Sequence, residues 1–405
     1  MMDTPFIEAK PILEKLHKAG YEAYYVGGAV RDYLLKRKIG DVDIATSAKP
    51  YEVQDLFSKT IDVGAKHGTI IVLHKNIPYE VTTYRTESEY EDYRRPKKVS
   101  YITSLKEDLR RRDFTINAMA MGIDGEIQDY FNGKAHIKAK LIQTVGSPSE
   151  RFTEDALRML RAVRFISQLD FTLCPRTIEA IKEHIQLLNV ISVERKTIEM
   201  EKLLKGMNIK TALHMIVETN LNKYLPGLDM KKQELRLLAT YNMQLLETNE
   251  ELWTLLTFFI KPTRIDHFLR EWKLPVKLIK SVEKNIHLLT ILQQNPWSDL
   301  LLYEAGYETA LSVERLRTVM TKPDELKANI NKIKHSFSQL PLQSRDQIAV
   351  KGHEVIQTLN KTPGPWVSKA ISEIEKAIVT KKLANNSSAI KEWLMSCKQD
   401  FEQNY

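Results

Sequence analysis

Two carboxylates at strand spacing, Asp41 and Asp43, are the first residues in this sequence whose types and positions point to chemistry. In an extended run, residues two apart project from one face, so both carboxylates aim at one spot while Val42 and Ile44 turn to the core. Adjacent carboxylates repel unless a cation lies between them. An all-oxygen site with room for water and phosphate suits Mg²⁺ better than zinc. The pair follows Gly27-Gly28-Ala29-Val30-Arg31-Asp32, which reads as a strand-to-helix junction. Glycines there let the backbone approach a phosphate, the helix N-terminus offers free N–H groups, and Arg31 can reach the same anion. Taken singly, Asp-x-Asp is common at strand ends and Gly-Gly marks many tight turns. Glu80, in a later strand-like run, is either a third acid of the site or a solvated strand carboxylate.

Two further blocks carry the arginines. Arg110-Arg111-Arg112-Asp113-Phe114-Thr115-Ile116-Asn117-Ala118 packs three guanidinium groups, an acid and an amide around a short apolar core. Guanidinium forks match phosphate oxygens, and Asp or Asn can bond ribose hydroxyls. The next block, Glu154-Asp155-Ala156-Leu157-Arg158, begins a helix for which Thr153 is a suitable N-cap. On a helix Asp155 and Arg158 are neighbours, with Arg161 next along the stripe and Arg164 nearer the far side. An ordinary surface ion pair explains that spacing. So does a base-reading pair: a carboxylate accepts from the exocyclic amine of cytosine or adenine, and a guanidinium donates to the adjacent ring nitrogen. Guanine and uracil present a carbonyl opposite the carboxylate and would be rejected. In Glu194-Arg195-Lys196-Thr197-Ile198-Glu199-Met200-Glu201-Lys202 the charges read as braces for a neighbouring helix end.

Positioning these groups requires a mixed α/β unit. The pattern predicts a helix over Ile7 to Lys18, a strand at Tyr24–Val26, a helix from Ala29 to about Lys36, and strands at Val42–Ala45, Ile61–Val63, Thr69–Leu73 and Tyr79–Thr83. Alternating helix and strand imply a sheet with helices on one face. Residues 86–98 are highly charged, lack an apolar period and read as a mobile loop. After Ser147 the strand signals disappear, and 153–170, 177–188, 192–205, 209–219 and 231–247 have helical spacing. Further breaks fall at Pro226-Gly227, Pro296 and Thr362-Pro363-Gly364-Pro365.

Composition narrows the class. The chain has 405 residues, 43% hydrophobic and 28% charged, as in an ordinary globular protein. No apolar run approaches the roughly 20 residues of a membrane span, and the N-terminus lacks a secretory signal. Two distant cysteines, Cys174 and Cys397, argue for the reducing cytoplasm. The net charge is +8, of which residues 1–150 supply only +1, with 23 basic against 22 acidic residues. A basic C-terminal part suits a polyanion such as nucleic acid, or is a lysine-rich solvated surface.

In order and spacing, the blocks GGAVRD and GDVD, RRDFTINA, EDALRMLRAVRF and ERKTIEMEKLL resemble motifs of the tRNA nucleotidyltransferases in the DNA polymerase β superfamily. DYFNG (129–133), GSPSERF (146–152) and PGPWV (363–367) fit as well. The likeness is to the class II CCA-adding enzymes of Gram-positive bacteria and spans essentially the whole chain. It implies an α+β fold: a catalytic head with a small mixed sheet (1–146), then an all-helical neck carrying the base template (147–205), body (206–300) and tail (301–405). It implies Asp41 and Asp43 as catalytic Mg²⁺ ligands, and Gly28 and Arg31 at the triphosphate. Arg112 would meet the incoming nucleotide, with Asp113 and Asn117 near its ribose; Asp155 and Arg158 would read its base, assisted by Arg161 and Arg164. The partners implied are CTP, ATP and tRNA, with no membrane; a homodimer is compatible. A poly(A) polymerase, a CC-adding relative, a small-molecule nucleotidyltransferase and a non-catalytic tRNA-binding protein are the competing readings.

Overall fold

The computed structural model describes residues 3–64, 68–91 and 95–397. Phe6, Ala9, Ile12, Leu13 and Leu16 fall on one stripe of α1 (Thr4–Lys18) and are fully buried. That stripe covers the sheet on which the head is built. β1 (Ala23–Val26) runs into α2 (Gly28–Leu34), followed by β2 (Asp43–Thr46), α3 (Pro50–Leu56), β3 (Thr60–Gly64), β4 (Thr69–His74) and β5 (Ile77–Thr83). The predicted elements are present, and α3 is additional. The seven-stranded sheet is completed by β8 (Ala120–Met121) and β9 (Ile127–Gln128), in the order β3-β4-β5-β2-β1-β8-β9. Only the β2–β5 pair in it is parallel.

Alternation sorts the two faces. Tyr25, Val42, Ile44, Ile70, Val72 and Val81 join the core beneath α1, α2 and α3. Val26, Ala45 and Ala120 point the other way and pack with Leu105 and Leu109 of α4 (Leu105–Arg110). The sheet is therefore helix-covered on part of both faces, where one covered face was expected; α4 is a six-residue helix, too short to show a periodicity. Asp43 pairs with Val26 and so lies on the less covered face.

Residues 86–98, expected as a loop, instead contribute an antiparallel ribbon of β6 (Arg85–Glu91) and β7 (Arg95–Tyr101); residues 92–94 lie outside the described residues. The ribbon forms its own two-stranded sheet, apart from the seven-stranded one.

Behind the arginine block, Asp129 accepts hydrogen bonds from the N–H groups of Gly133 and Lys134 at 2.8 and 2.9 Å, anchoring α5 (Gly133–Lys138). A Cβ on Gly133 would come 2.5 Å from the Thr115 carbonyl oxygen, so DYFNG is a close-approach support for the RRDFTINA segment.

The helix expected over 153–170 is two helices, α6 (Pro148–Glu154) and α7 (Leu157–Leu169), broken at Asp155, whose backbone is extended at φ −140°, ψ 102°. Thr153 lies in the last turn of α6 and donates to the Ser149 and Glu150 carbonyls instead of capping. The strand signal does not end at Ser147: β11 (Thr172–Leu173) pairs in parallel with β10 (Leu141–Ile142). Two-residue strands carry no readable alternation. α8 (Pro175–His184), α9 (Val193–Leu204) and α10 (Ile209–Glu218) follow the predicted segments, whereas 231–247 divides into α11 (Lys232–Leu238) and a 3₁₀ turn at Met243–Leu245.

The chain separates into two compact units, residues 1–240 with 271–273, and 241–270 with 274–405. The second is helical throughout among the described residues, from Asn249–Ile260 to Ser387–Ser396. Its inner charges are paired: Arg315 donates to Glu251 at 3.1 Å and to Glu247 at 2.7 Å. Among the described residues, no helix is long and apolar enough to cross a membrane.

Candidate active site

The first unit holds a cavity of about 900 Å³ lined by all eleven site residues named from sequence: Gly28, Arg31, Asp41, Asp43, Arg112, Asp113, Asn117, Asp155, Arg158, Arg161 and Arg164. Elements far apart in sequence converge there. β1 leads into the glycine turn, α2 carries Arg31, β2 begins at Asp43, α4 leads into Arg111 and Arg112, α7 supplies Arg158, Arg161 and Arg164, and α9 supplies Arg195.

Gly27 has φ +74°, a region costly for residues with a Cβ, and a Cβ there would lie 3.3 Å from Arg112 Nη1 and 3.7 Å from Asp43 Oδ2. The backbone thus lies directly against the carboxylate and the guanidinium. The sequence reading placed weight on Gly28, but the conformational demand falls on Gly27.

Asp41 precedes β2 instead of lying in it and is exposed, while Asp43, the first residue of the strand, is half-buried. Val42 and Ile44 do turn into the core. The parallel register Ile44↔Val81 brings Glu80 alongside Asp43. Burial, then the Glu80 charge and, more weakly, Asp41 push the Asp43 carboxyl up to about 6, with Arg112 opposing them. That is the electrostatic condition a bound divalent cation relieves, and carboxylate oxygens are the donors a hard cation takes. No cluster of three metal-binding side chains is assembled among the described residues.

The arginines are arranged by buried acids. Asp108, fully buried, accepts from Arg111 Nε at 2.9 Å and holds Arg112 at 3.5 Å. Asp113 accepts from Arg161 Nε at 2.8 Å, from Asn117 Nδ2 at 3.1 Å and from the Phe114 N–H at 2.7 Å. Burial would raise its carboxyl, but Arg161 and Asn117 hold it well below the usual carboxylate range. Asn117 Oδ1 in turn accepts from Arg31 Nη1 at 2.6 Å. Expected beside a ribose, Asp113 and Asn117 are engaged in this structure in fixing Arg161 and Arg31. The guanidiniums of Arg164, Arg31 and Arg161 surround the Phe165 ring at 4.2, 5.2 and 5.8 Å from its centre. Burial lowers the Arg164 guanidinium to about 10, against the opposing pull of Glu199, 3.0 Å from its Nε.

The break at Asp155 alters the base-reading pair. Asp155 and Arg158 are not helix neighbours joined to each other. Asp155 Oδ1 accepts from the Leu157 N–H at 3.1 Å, capping α7, and its Oδ2 accepts from Arg195 Nη2 at 2.7 Å. Arg158 donates to the carbonyls of Arg151 and Arg111, each at 3.0 Å, and to Glu154. Both still line the cavity. Arg195 acts as the expected brace of a neighbouring helix end and also lines the cavity, as do Lys202 of the same charged block and Phe165 and Gln168, for which no role was expected. An aromatic four residues beyond Arg161 and next to Arg164 was the available signal for Phe165.

A mixed sheet presenting carboxylates beneath a glycine turn, walled by arginines, defines a nucleotidyltransferase. Residues 23–143 match the model of the poly A polymerase head domain, 170–232 that of the probable RNA and SrmB-binding site of polymerase A, and 244–394 that of tRNA nucleotidyltransferase domain 2. The CCA-adding enzyme of Geobacillus sp. (strain WCH70) is 47% identical over 97% of this chain and 98% of its own length. That of Bacillus subtilis (strain 168) is 46% identical over 98% of this chain and all of its own. The crystal structure of the Bacillus stearothermophilus CCA-adding enzyme in complex with CTP superposes with a TM-score of 0.90 at 46% identity, covering both chains completely. The chain belongs to the CCA-adding enzymes.

Proposed function

We propose that this cavity adds CCA to the 3′ end of tRNA without a nucleic-acid template, using CTP twice and ATP once. In each addition the acceptor 3′-oxygen bonds the α-phosphorus as the bond from that phosphorus to pyrophosphate breaks, and the hydroxyl proton is lost. Asp41 and Asp43 would hold Mg²⁺, which when bound makes the hydroxyl more acidic and offsets charge on the leaving pyrophosphate. Arg31 and Arg112, with the turn at Gly28, receive the triphosphate. Arg161 and Arg164 extend that basic wall, set in place by Asp113, Asn117 and Phe165. Asp155 and Arg158 select cytosine and adenine, which requires them to exchange some of their present partners for the base. The head, neck, body and tail division and a cytoplasmic location belong to this reading.

The observation that carries it is the polarity of one cavity: two like-charged carboxylates beside the glycine turn, and arginines from α4 and α7 on the walls. The test is addition to tRNA ending before CCA, with each nucleotide supplied separately and together with Mg²⁺. The expected product is CCA. A product halting at CC, or a long adenylate tail, would favour the CC-adding or poly(A) reading instead. Asp41→Ala should abolish incorporation; full activity in that variant would refute the metal assignment.

A further inference from the structure

Asp43 begins a row of side chains that crosses four strands. The register places Glu80 of β5 beside Asp43, Ile71 of β4 opposite Glu80, and Ile61 of β3 opposite Ile71. Directly paired residues project from the same face of a sheet. With strands about 4.8 Å apart, Ile71 stands roughly 10 Å from Asp43 and Ile61 roughly 14 Å. Pro78, one row away and opposite Leu73, shares this face and, like Ile71, lines the cavity.

These apolar residues are not accounted for by the core. The helix-covered face of β4 is filled by Ile70 and Val72, both buried. On the other face a solvated sheet would alternate to polar residues, yet β4 carries Ile71 and Leu73, and Ile61 on the edge strand is 47% exposed. An apolar floor therefore runs outward from the acidic pair to the edge of the sheet.

Strand order indicates what lies on it. The glycine turn follows β1, on one side of Asp43, and Arg112 packs against Gly27 on that side. The Ile71 floor lies on the other side, across β5 and β4. Displacement at phosphorus is in line, so the attacking oxygen enters opposite the departing pyrophosphate. With the triphosphate on the β1 side, the nucleoside bearing the 3′-hydroxyl comes from the β4 side. A nucleobase offers an apolar face of the right kind, and the row beyond Glu80 carries no cation for a backbone phosphate.

We propose that Ile71, flanked by Ile61 and Pro78, is the floor on which the 3′-terminal nucleoside of the acceptor RNA rests while its hydroxyl attacks. The inference builds on the proposed nucleotidyl transfer to tRNA. Its test uses the full chain and tRNA ending in CC with ATP, alongside direct CTP binding in the absence of RNA. Ile71→Ala should raise KM for the RNA about five- to tenfold, because less apolar surface is then covered by the base, and leave CTP affinity within twofold. Ile71→Leu should restore most of the loss. Ile71→Thr, which keeps the branched shape favoured in strands, should reproduce the defect with the melting temperature unchanged. An RNA KM within twofold of wild type in both Ile71→Ala and Ile71→Thr, or an equal loss of CTP binding, would overturn the floor alone. A wild-type chain inactive on every RNA would instead refute the proposed function, and the floor with it.

Discussion

Replacing Gly27 by alanine should damage this protein far more than the same change at Gly28. Gly27 sits at φ +74°, ψ −136°, where a residue with a Cβ pays about 1–3 kcal/mol of backbone strain. The new methyl would also lie 3.3 Å from Arg112 Nη1 and 3.7 Å from Asp43 Oδ2, so relief of the crowding moves one of two groups to which the proposed reaction assigns a role. Strain of that size should lower the melting temperature by about 5 °C. Displacement of a reacting group by about 1 Å should lower kcat/KM about 100-fold. Gly28 lies outside the left-handed region, and a Cβ there meets the Arg31 guanidinium, with Nη2 at an ordinary 3.5 Å. Gly28→Ala should therefore melt at or slightly above the wild-type temperature, alanine being the better helix former by up to about 1 kcal/mol. A kinetic defect in Gly28→Ala would then report close approach of the triphosphate to the backbone, free of any folding effect. The assay is thermal melting of both variants together with KM and kcat for CTP on tRNA ending before CCA. If Gly27→Ala melts as wild type with kcat/KM within threefold, the conformational reasoning is wrong. If Gly28→Ala leaves KM for CTP unchanged, the phosphate contact assigned to Gly28 is wrong.

Asp155→Asn retains a side chain able to cap α7 but replaces one acceptor by a donor and removes the ion pair with Arg195. Discrimination against UTP and GTP should fall about tenfold or more in competitive incorporation; unchanged discrimination would remove Asp155 from base selection. Asp113→Asn tests the buried clamp through pH. Because the folded carboxyl is held below its unfolded value of about 4, ionised Asp113 stabilises the fold above that pH, and the contribution is lost as pH falls further. The variant should be less stable by about 3 kcal/mol at pH 7, with the gap to wild type narrowing below pH 4. A gap independent of pH between 3 and 8 would show that charge on Asp113 is not what holds Arg161.

Sequence patterns reached the site's members better than their connections. Asp41, Asp43 and the arginine blocks announce themselves because few structural roles need so many like charges at such spacing. Which acid holds which arginine was hidden, since those pairs join residues far apart in the chain, such as Asp113 to Arg161 and Asp155 to Arg195. The break at Asp155 was hidden for a local reason: both flanking helices have good helix formers, and one extended residue between them leaves the apolar period nearly intact. Val42 and Ile44 were placed correctly because burial on one sheet face imposes a strict alternation. The β6–β7 ribbon is a separate sheet whose charged sequence had no apolar alternation to read. The two-residue strands were likewise too short to show one.

Three guanidinium groups share the Phe165 ring, each against a carboxylate of its own: Arg31 with Asp32, Arg161 with Asp113 and Arg164 with Glu199. Without nucleotide the three cations repel one another, and their carboxylates are what hold them together. A triphosphate would add further countercharge, so substrate acts on this chain as a stabilising ligand, most effective when the wall is intact. Neutral replacement of Arg164 would strand the buried Glu199 carboxylate, so a screen for heat resistance alone should retain Arg164 even where CTP is never supplied. In this corner of the molecule robustness and activity pull the sequence in the same direction.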